Sequence, residues 1–182
     1  MRYLSIDLGD KRTGLAVGDS ETGLVSPLTV LEVSMVVAQG DLLIEAIARA
    51  SEEQLGPSRR PGSPGARLDS PGELVIGLPL NMDGTEGPRS KVVRAFARRV
   101  AQRTGRSFHY QDERLTSAQA DWQMAKSGMT HQQKKERRDA LAAAAILQDF
   151  LASTTRGAAT EPEVKMTARE AVRQEAKRPE KP

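Results

Sequence analysis

The stretch RYLSIDLGDKRTGLAVGDS, residues 2–20, decides the fold. Leu4, Ile6 and Leu8 alternate with Tyr3, Ser5 and Asp7, which is the period of a strand with one apolar face. RTGLAVG reads as a second strand, so Gly9-Asp10-Lys11-Arg12 is the turn of a hairpin. Asp7 then sits on a rigid strand just ahead of that turn, on the face opposite the leucines. Taken alone it reads as a solvent-facing strand residue. Only further carboxylates brought to the same place would make it a chemical group.

Working outward, SETG (20–23) is another turn, and LVSPLTVLEV (24–33) reads as a third strand whose Pro27 points to an edge or a bulge. Helical spacing of Leu42 or Leu43, Ile47 and Ala50 predicts a helix over 36–54, weakened at its start by Gly40. Residues 56–72 are rich in glycine, proline and serine and read as a flexible surface insertion. ELVIGLPL (73–80) has the look of a buried strand. A loop follows, then a helix capped by Ser90, with Val92, Val93, Phe96 and Val100 as its apolar stripe and Gly105 as its end. Residues 106–115 form a strand that turns Phe108 and Tyr110 inward, and Thr116 with Gln119 suggests a capping box and a further helix. RDALAAAAILQDFLAS (138–153) is the last helix.

Three short strands followed by helical crossovers imply an α/β protein with a mixed five-stranded sheet flanked by helices. It forms one domain over 1–153, with a polar, disordered tail over 154–182.

Composition removes whole classes of chemistry. The 182 residues contain no cysteine, which excludes disulfides and thiolate metal sites, and only two histidines, His109 and His131. A metal would have to be held by oxygen, which suits magnesium or manganese. The chain has no GxxxxGK[ST] and no GxGxxG after a strand. No apolar run approaches the length needed to span a membrane, and Asp7 and Asp10 interrupt any early leader, so a soluble cytoplasmic protein is expected. The net charge of +3 says little. The run of bases from Arg89 to Arg138 says more, because few acids oppose it. It reads as a phosphate-contacting surface, with Arg94 and Arg98 on one helix, or as a solvated helix face.

Candidate chemistry rests on acids at three structural positions: Asp7 in a strand, Glu113 at a strand end in QDERLT, and Asp139 where the last helix begins. Asp139 lies at the start of that helix's apolar stripe, where a carboxylate has to be paired or bound to a metal. It also reads as an ordinary acid of a first helical turn, and Glu113 as a loop residue paired with Arg114. Brought together, such acids serve phosphoryl chemistry with divalent ions. In GLPLNMDG (77–84), Gly77 reads as a turn residue, Asn81 as an oxygen binder or cap, and Gly84 as a positive-φ position.

Taken together, DLGDKRTGLAVGD, VIGLPLNMDGTEG, DERLTSAQA and RRDALAAAAILQDFL resemble the YqgF/RuvX family of Holliday junction resolvase-like proteins and pre-16S rRNA nuclease candidates. The resemblance covers 1–153 apart from the insertion. It implies an RNase H-like fold and an endonuclease dependent on Mg2+ or Mn2+, with Asp7, Glu113 and Asp139 as catalytic acids and metal ligands. Lys11, Arg12, Arg114 and the loop with Asn81 and Gly84 would be substrate contacts. The implied partner is pre-rRNA or a ribosomal precursor, with branched DNA second.

IDLGDKRTGLAV also resembles the first phosphate loop of actin-like ATPases and sugar kinases, but the chain is short for two such domains. A binding module that grips RNA without cutting is a further alternative. Trp122 and Met124 are the candidate dimer anchors, and a monomer or weak homodimer is expected.

Overall fold

A computed structural model of the chain describes residues 1–57, 72–113 and 131–155. The strands are β1 (Arg2–Leu8), β2 (Thr13–Asp19), β3 (Val25–Leu31), β4 (Glu73–Leu78) and β5 (Phe108–Asp112). The helices are α1 (Asp41–Leu55), α2 (Pro88–Thr104) and α3 (His131–Thr155). The sheet order is β3-β2-β1-β4-β5. The β1–β2 and β2–β3 pairs are antiparallel, and the β1–β4 and β4–β5 pairs are parallel. The expected mixed five-stranded sheet is present. Pro27 lies on the edge strand β3, beside a register shift in its pairing with β2, as its missing N–H requires.

The two faces of the sheet are covered differently. Leu4, Ile6, Leu8, Leu15, Leu74, Ile76 and Leu78 pack with Leu43 and Ile47 of α1 and with Val93, Phe96 and Val100 of α2. The opposite face carries Tyr3 and Val75, packed under Ile146, Leu147, Phe150 and Leu151 of α3. The face that bears Asp7 is therefore covered by a helix rather than open to water.

Small residues make that covering close. Gly14, Ala16 and Gly18 alternate along β2. Ala16 packs with Ala143 and Ala144. A Cβ on Gly18 would lie 2.9 Å from Leu147 Cδ2, and one on Gly14 would collide with the backbone of Asp139 and Ala140. The alanine run of α3 and the alternating small residues of β2 are two halves of one tight packing surface.

Several local expectations need correction. Helix α1 begins at Asp41, not 36, because Ala38, Gln39 and Gly40 all have positive φ (49°, 54° and 83°) and cannot continue a right-handed helix. Ser90 is not the cap of α2. Gly87 is, with Pro88 in the first turn, and the Ser90 hydroxyl instead donates to the carbonyl of Pro79. Val92 is exposed, and the buried stripe is Val93, Phe96, Ala97 and Val100. The bulk of the 56–72 insertion, Arg114, the helix expected after Thr116 with Trp122 and Met124, and the tail from 156 lie outside the described residues.

Gly14→Ala tests the close packing. It should destabilise the protein by about 1–3 kcal/mol, since backbone on both sides leaves little room to yield. At roughly 2–4 °C per kcal/mol for a domain of this size, thermal unfolding should show a clear fall in Tm. A Tm equal to that of the wild type would refute the packing.

Candidate active site

The three acids reach one end of the sheet by three separate devices. Asp7 is carried on the central strand β1, where it stands opposite Gly14 in the antiparallel register. Because Gly14 has no side chain, the backbone of Asp139 in α3 descends onto β2 at that point. Glu113 follows the last residue of β5, and its N–H donates to the Leu78 carbonyl at 3.3 Å. Its carboxylate occupies the space beside Gly77, where a Cβ would strike Glu113 Oε1 and approach Ile146 Cδ1 to 2.7 Å. Gly77 is thus a residue inside β4 that makes room for a carboxylate, not a turn residue.

Electrostatics tie the acids together. Asp7 is half-buried, and its pKa is pushed up to about 6, first by burial and then by the charge of Asp139, with Arg89 opposing. Glu113 is pushed up to about 7, first by burial and then by Asp7, with Arg89 opposing and Asp112 adding to the rise. Asp7 is therefore the middle member, coupled to Glu113 on one side and to Asp139 on the other. Among the described residues, no three His, Cys, Asp or Glu side chains stand as a ready-made metal site.

Arginines surround these acids. Arg12 Nε lies 2.9 Å from Asp139 Oδ2. Arg89, in the first turn of α2, donates to the Leu8 carbonyl at 2.7 Å and to the Asp10 carboxylate. It thereby fixes the backbone directly after Asp7. Sequence reasoning placed Arg89 only in a general basic run. The signal available was its place just inside a Pro-started helix that follows the 79–87 loop. Lys11 is exposed on the hairpin loop.

The loop after β4 is organised from within. Asn81 accepts at its carbonyl from the Gly84 N–H, and its N–H and Nδ2 donate to the Thr85 carbonyl and hydroxyl, all at 2.9 Å. Gly84 has φ 84°, as expected of that position. Thr85 N–H and Oγ1 both donate to Asp83 Oδ1, at 2.9 and 2.6 Å.

The run from Arg89 to Arg106 is not a row of cations facing outward. Arg94 donates to Glu86 at 2.7 Å and lies 4.4 Å over the Tyr110 ring. Arg99 holds Asp41 and the Gln39 carbonyl, and Arg103 forks onto Glu45 at 2.5 and 2.6 Å. Arg98 is half-buried, with its Nε buried and lacking a hydrogen-bond partner. Arg106 is fully buried. It donates to the carbonyls of Ser51 and Gly72 at 3.3 Å and to that of Gly56, and burial pulls its pKa down. For Arg99 and Arg103 the physical reason is that α2 packs beside α1, whose Asp41 and Glu45 stand across from their guanidiniums.

The raised carboxyl values have a definite sign for stability. Folded Asp7 and Glu113 hold protons more tightly than they do in the unfolded chain, so their contribution declines as pH climbs from about 4 to about 7 and stays low above that. In EDTA, Asp7→Asn should therefore raise Tm at about pH 8 and change it little near pH 4. Thermal melts across that range would decide it, and an equal gain at both ends would remove the electrostatic explanation.

Comparison with known proteins identifies the family. The family described as RuvX, Holliday junction resolvase, matches residues 65–153. A pre-16S rRNA nuclease candidate of Anaeromyxobacter sp. strain Fw109-5 is 38% identical over 152 residues, covering 83% of this chain and 96% of the relative. One of Thiobacillus denitrificans is 36% identical over 147 residues, covering 81% and 88%. T. thermophilus RuvC in complex with a Holliday junction substrate superposes with a TM-score of 0.50 at 13% identity, over 86% of this chain and 97% of that one. That likeness speaks to the fold alone, an RNase H-like α/β architecture. With relatives this similar along most of its length, the chain belongs to the YqgF/RuvX family.

Proposed function

We propose that this chain is a divalent-ion-dependent endonuclease that trims the 5′ end of pre-16S rRNA. One observation carries the reading: Asp7 from a central strand and Glu113 from a strand end meet where burial raises both, with Asp139 from a helix as the charged neighbour of Asp7. A folded protein does not gather acids at such a cost for stability alone. The relatives' description as pre-16S rRNA nuclease candidates supplies the substrate.

The donor set suits Mg2+ or Mn2+. It is all carboxylate, and Gly77 leaves room at Glu113 that any other residue would fill. Asp7, Glu113 and Asp139 would hold the ion. When bound, it polarises the phosphate and lowers the pKa of the attacking water. The protein's own contributions are separable from that. Asp7 is positioned by the sheet and by the Arg89 bond to the next carbonyl. In the ion-free protein burial and Asp7 push Glu113 up to about 7, so its carboxyl group would give up a proton on holding an ion. Arg89 and Arg12 offset negative charge around the scissile phosphate. Asn81 and Gly84 shape the loop after β4, at the same end of the sheet as Glu113. Lys11, Arg94, Arg98 and Arg114 are proposed backbone contacts. No helix among the described residues is long and apolar enough to cross a membrane, and the proposed setting is the cytoplasm, as a monomer or weak homodimer.

The family description of a Holliday junction resolvase favours branched DNA as the second reading. Wild-type protein and Asp7→Asn should be given a pre-16S rRNA fragment and a four-way DNA junction, each with Mg2+ and with Mn2+. The expected result is metal-dependent cutting of the rRNA, reduced by about 100-fold or more in Asp7→Asn, with nucleic-acid affinity retained. Cutting of the junction alone at symmetric paired positions would replace the rRNA assignment. Cutting of neither would point to a binding module.

A further inference from the structure

The Arg12–Asp139 pair joins the hairpin loop to α3 at the edge of the acid cluster, and both of its ends are anchored by backbone. A Cβ on Gly9 would collide with the Arg12 carbonyl, so the loop is closed tightly around Arg12. Asp139 rests through its own backbone on Gly14. The two side chains, 37% and 24% exposed, meet at 2.9 Å. A guanidinium is thus the close cationic partner of the carboxylate that stands next to Asp7 in the coupled series. This matters because a guanidinium and a divalent ion compete for the same oxygen lone pairs.

We infer that Arg12 is the ion-free occupant of Asp139, a built-in cation that positions this carboxylate and is displaced from it when a divalent ion binds. The inference rests on the reading of Asp7, Glu113 and Asp139 as ion ligands. It accounts for one observation directly: the carboxylate that couples to Asp7 already has a close cationic partner in the ion-free protein. Arg12 also ceases to be a substrate contact in the ion-free protein, where its charge is already committed. It is a positioning residue, and the pair is open enough to solvent to yield. Partly exposed ion pairs are weak, so displacing Arg12 should cost the incoming ion only about threefold to fivefold in affinity.

The test uses the full-length protein and Mn2+ alone, with binding followed by calorimetry and by loss of the free-ion paramagnetic resonance signal. Arg12→Gln should bind Mn2+ about threefold to fivefold more tightly than wild type. Arg12→Lys, which keeps the charge, should stay close to wild type. Lys11→Gln removes the same charge from the same loop without touching Asp139, and should change affinity by less than about 1.5-fold. In EDTA, wild type and Arg12→Gln should bind a fluorescein-labelled single-stranded RNA with the same salt dependence.

Unchanged or weaker Mn2+ binding in Arg12→Gln would overturn the inference. So would equal tightening in Lys11→Gln, which would indicate only a general field, or a shallower salt slope for Arg12→Gln in EDTA. Asp7→Asn and Asp139→Asn separate this from the underlying reading. If they bind Mn2+ as wild type does, the ion-ligand assignment fails and the inference with it. If they lose Mn2+ while Arg12→Gln is unaltered, only the role of Arg12 is refuted.

Discussion

The backbone of α3 at Asp139 and Ala140 lies directly on Gly14 of β2, with no side chain between them. This contact sets the height of the helix over the sheet, and with it the reach of every group that α3 presents. Alanine contributes little apolar area per residue, so the run Ala143–Ala145 would be a weak core in a loosely packed layer. Against Gly14, Ala16 and Gly18 it becomes a close one, because dispersion contacts multiply as the surfaces approach. The same geometry holds Asp139 beside Asp7. The stability of the α3 layer and the spacing of the acids are one structural fact.

A second allowance of the same kind sits at Gly77. There the sheet gives up a side chain so that the Glu113 carboxylate and Ile146 can share the space. Two glycines, on the strands either side of β1, thus admit two acids, and β1 supplies the third from between them. The cost is visible in the proton affinities of Asp7 and Glu113, both raised mainly by burial. Arg89 limits that cost without cancelling it.

Much of this was legible in the sequence, for physical reasons that differ from element to element. The β1 pattern was readable because Leu4, Ile6 and Leu8 all face one layer, and the edge position of β3 because Pro27 cannot donate. The roles of Gly14 and Gly77 were not legible, because a glycine that clears space looks the same in sequence as one that turns the chain. Only the tertiary neighbour tells them apart. Ser90 was misread as a cap because Pro88 starts the helix two residues earlier. The ion pairs of the α2 arginines were not legible for a related reason. Periodicity shows which residues leave the core but not what stands opposite them, and Asp41 and Glu45 of α1 are distant in sequence. The burial of Arg106 was the least legible feature, since nothing local marks a guanidinium that will be fully buried.

That buried guanidinium has a consequence of its own. Arg106 gathers the carbonyls of Ser51 and Gly56, at the end of α1, together with that of Gly72, at the start of β4. It therefore ties the last turn of α1 and the carbonyl just past it to the start of β4, and it holds the exit and re-entry of the chain in a single collar. The two ends of the connection are thereby held at fixed points, and between fixed points added chain length costs an entropy that grows only slowly. The collar makes this connection a natural port in the fold. Foreign sequence, a reporter or a tether could be spliced in there without the sheet registering the change.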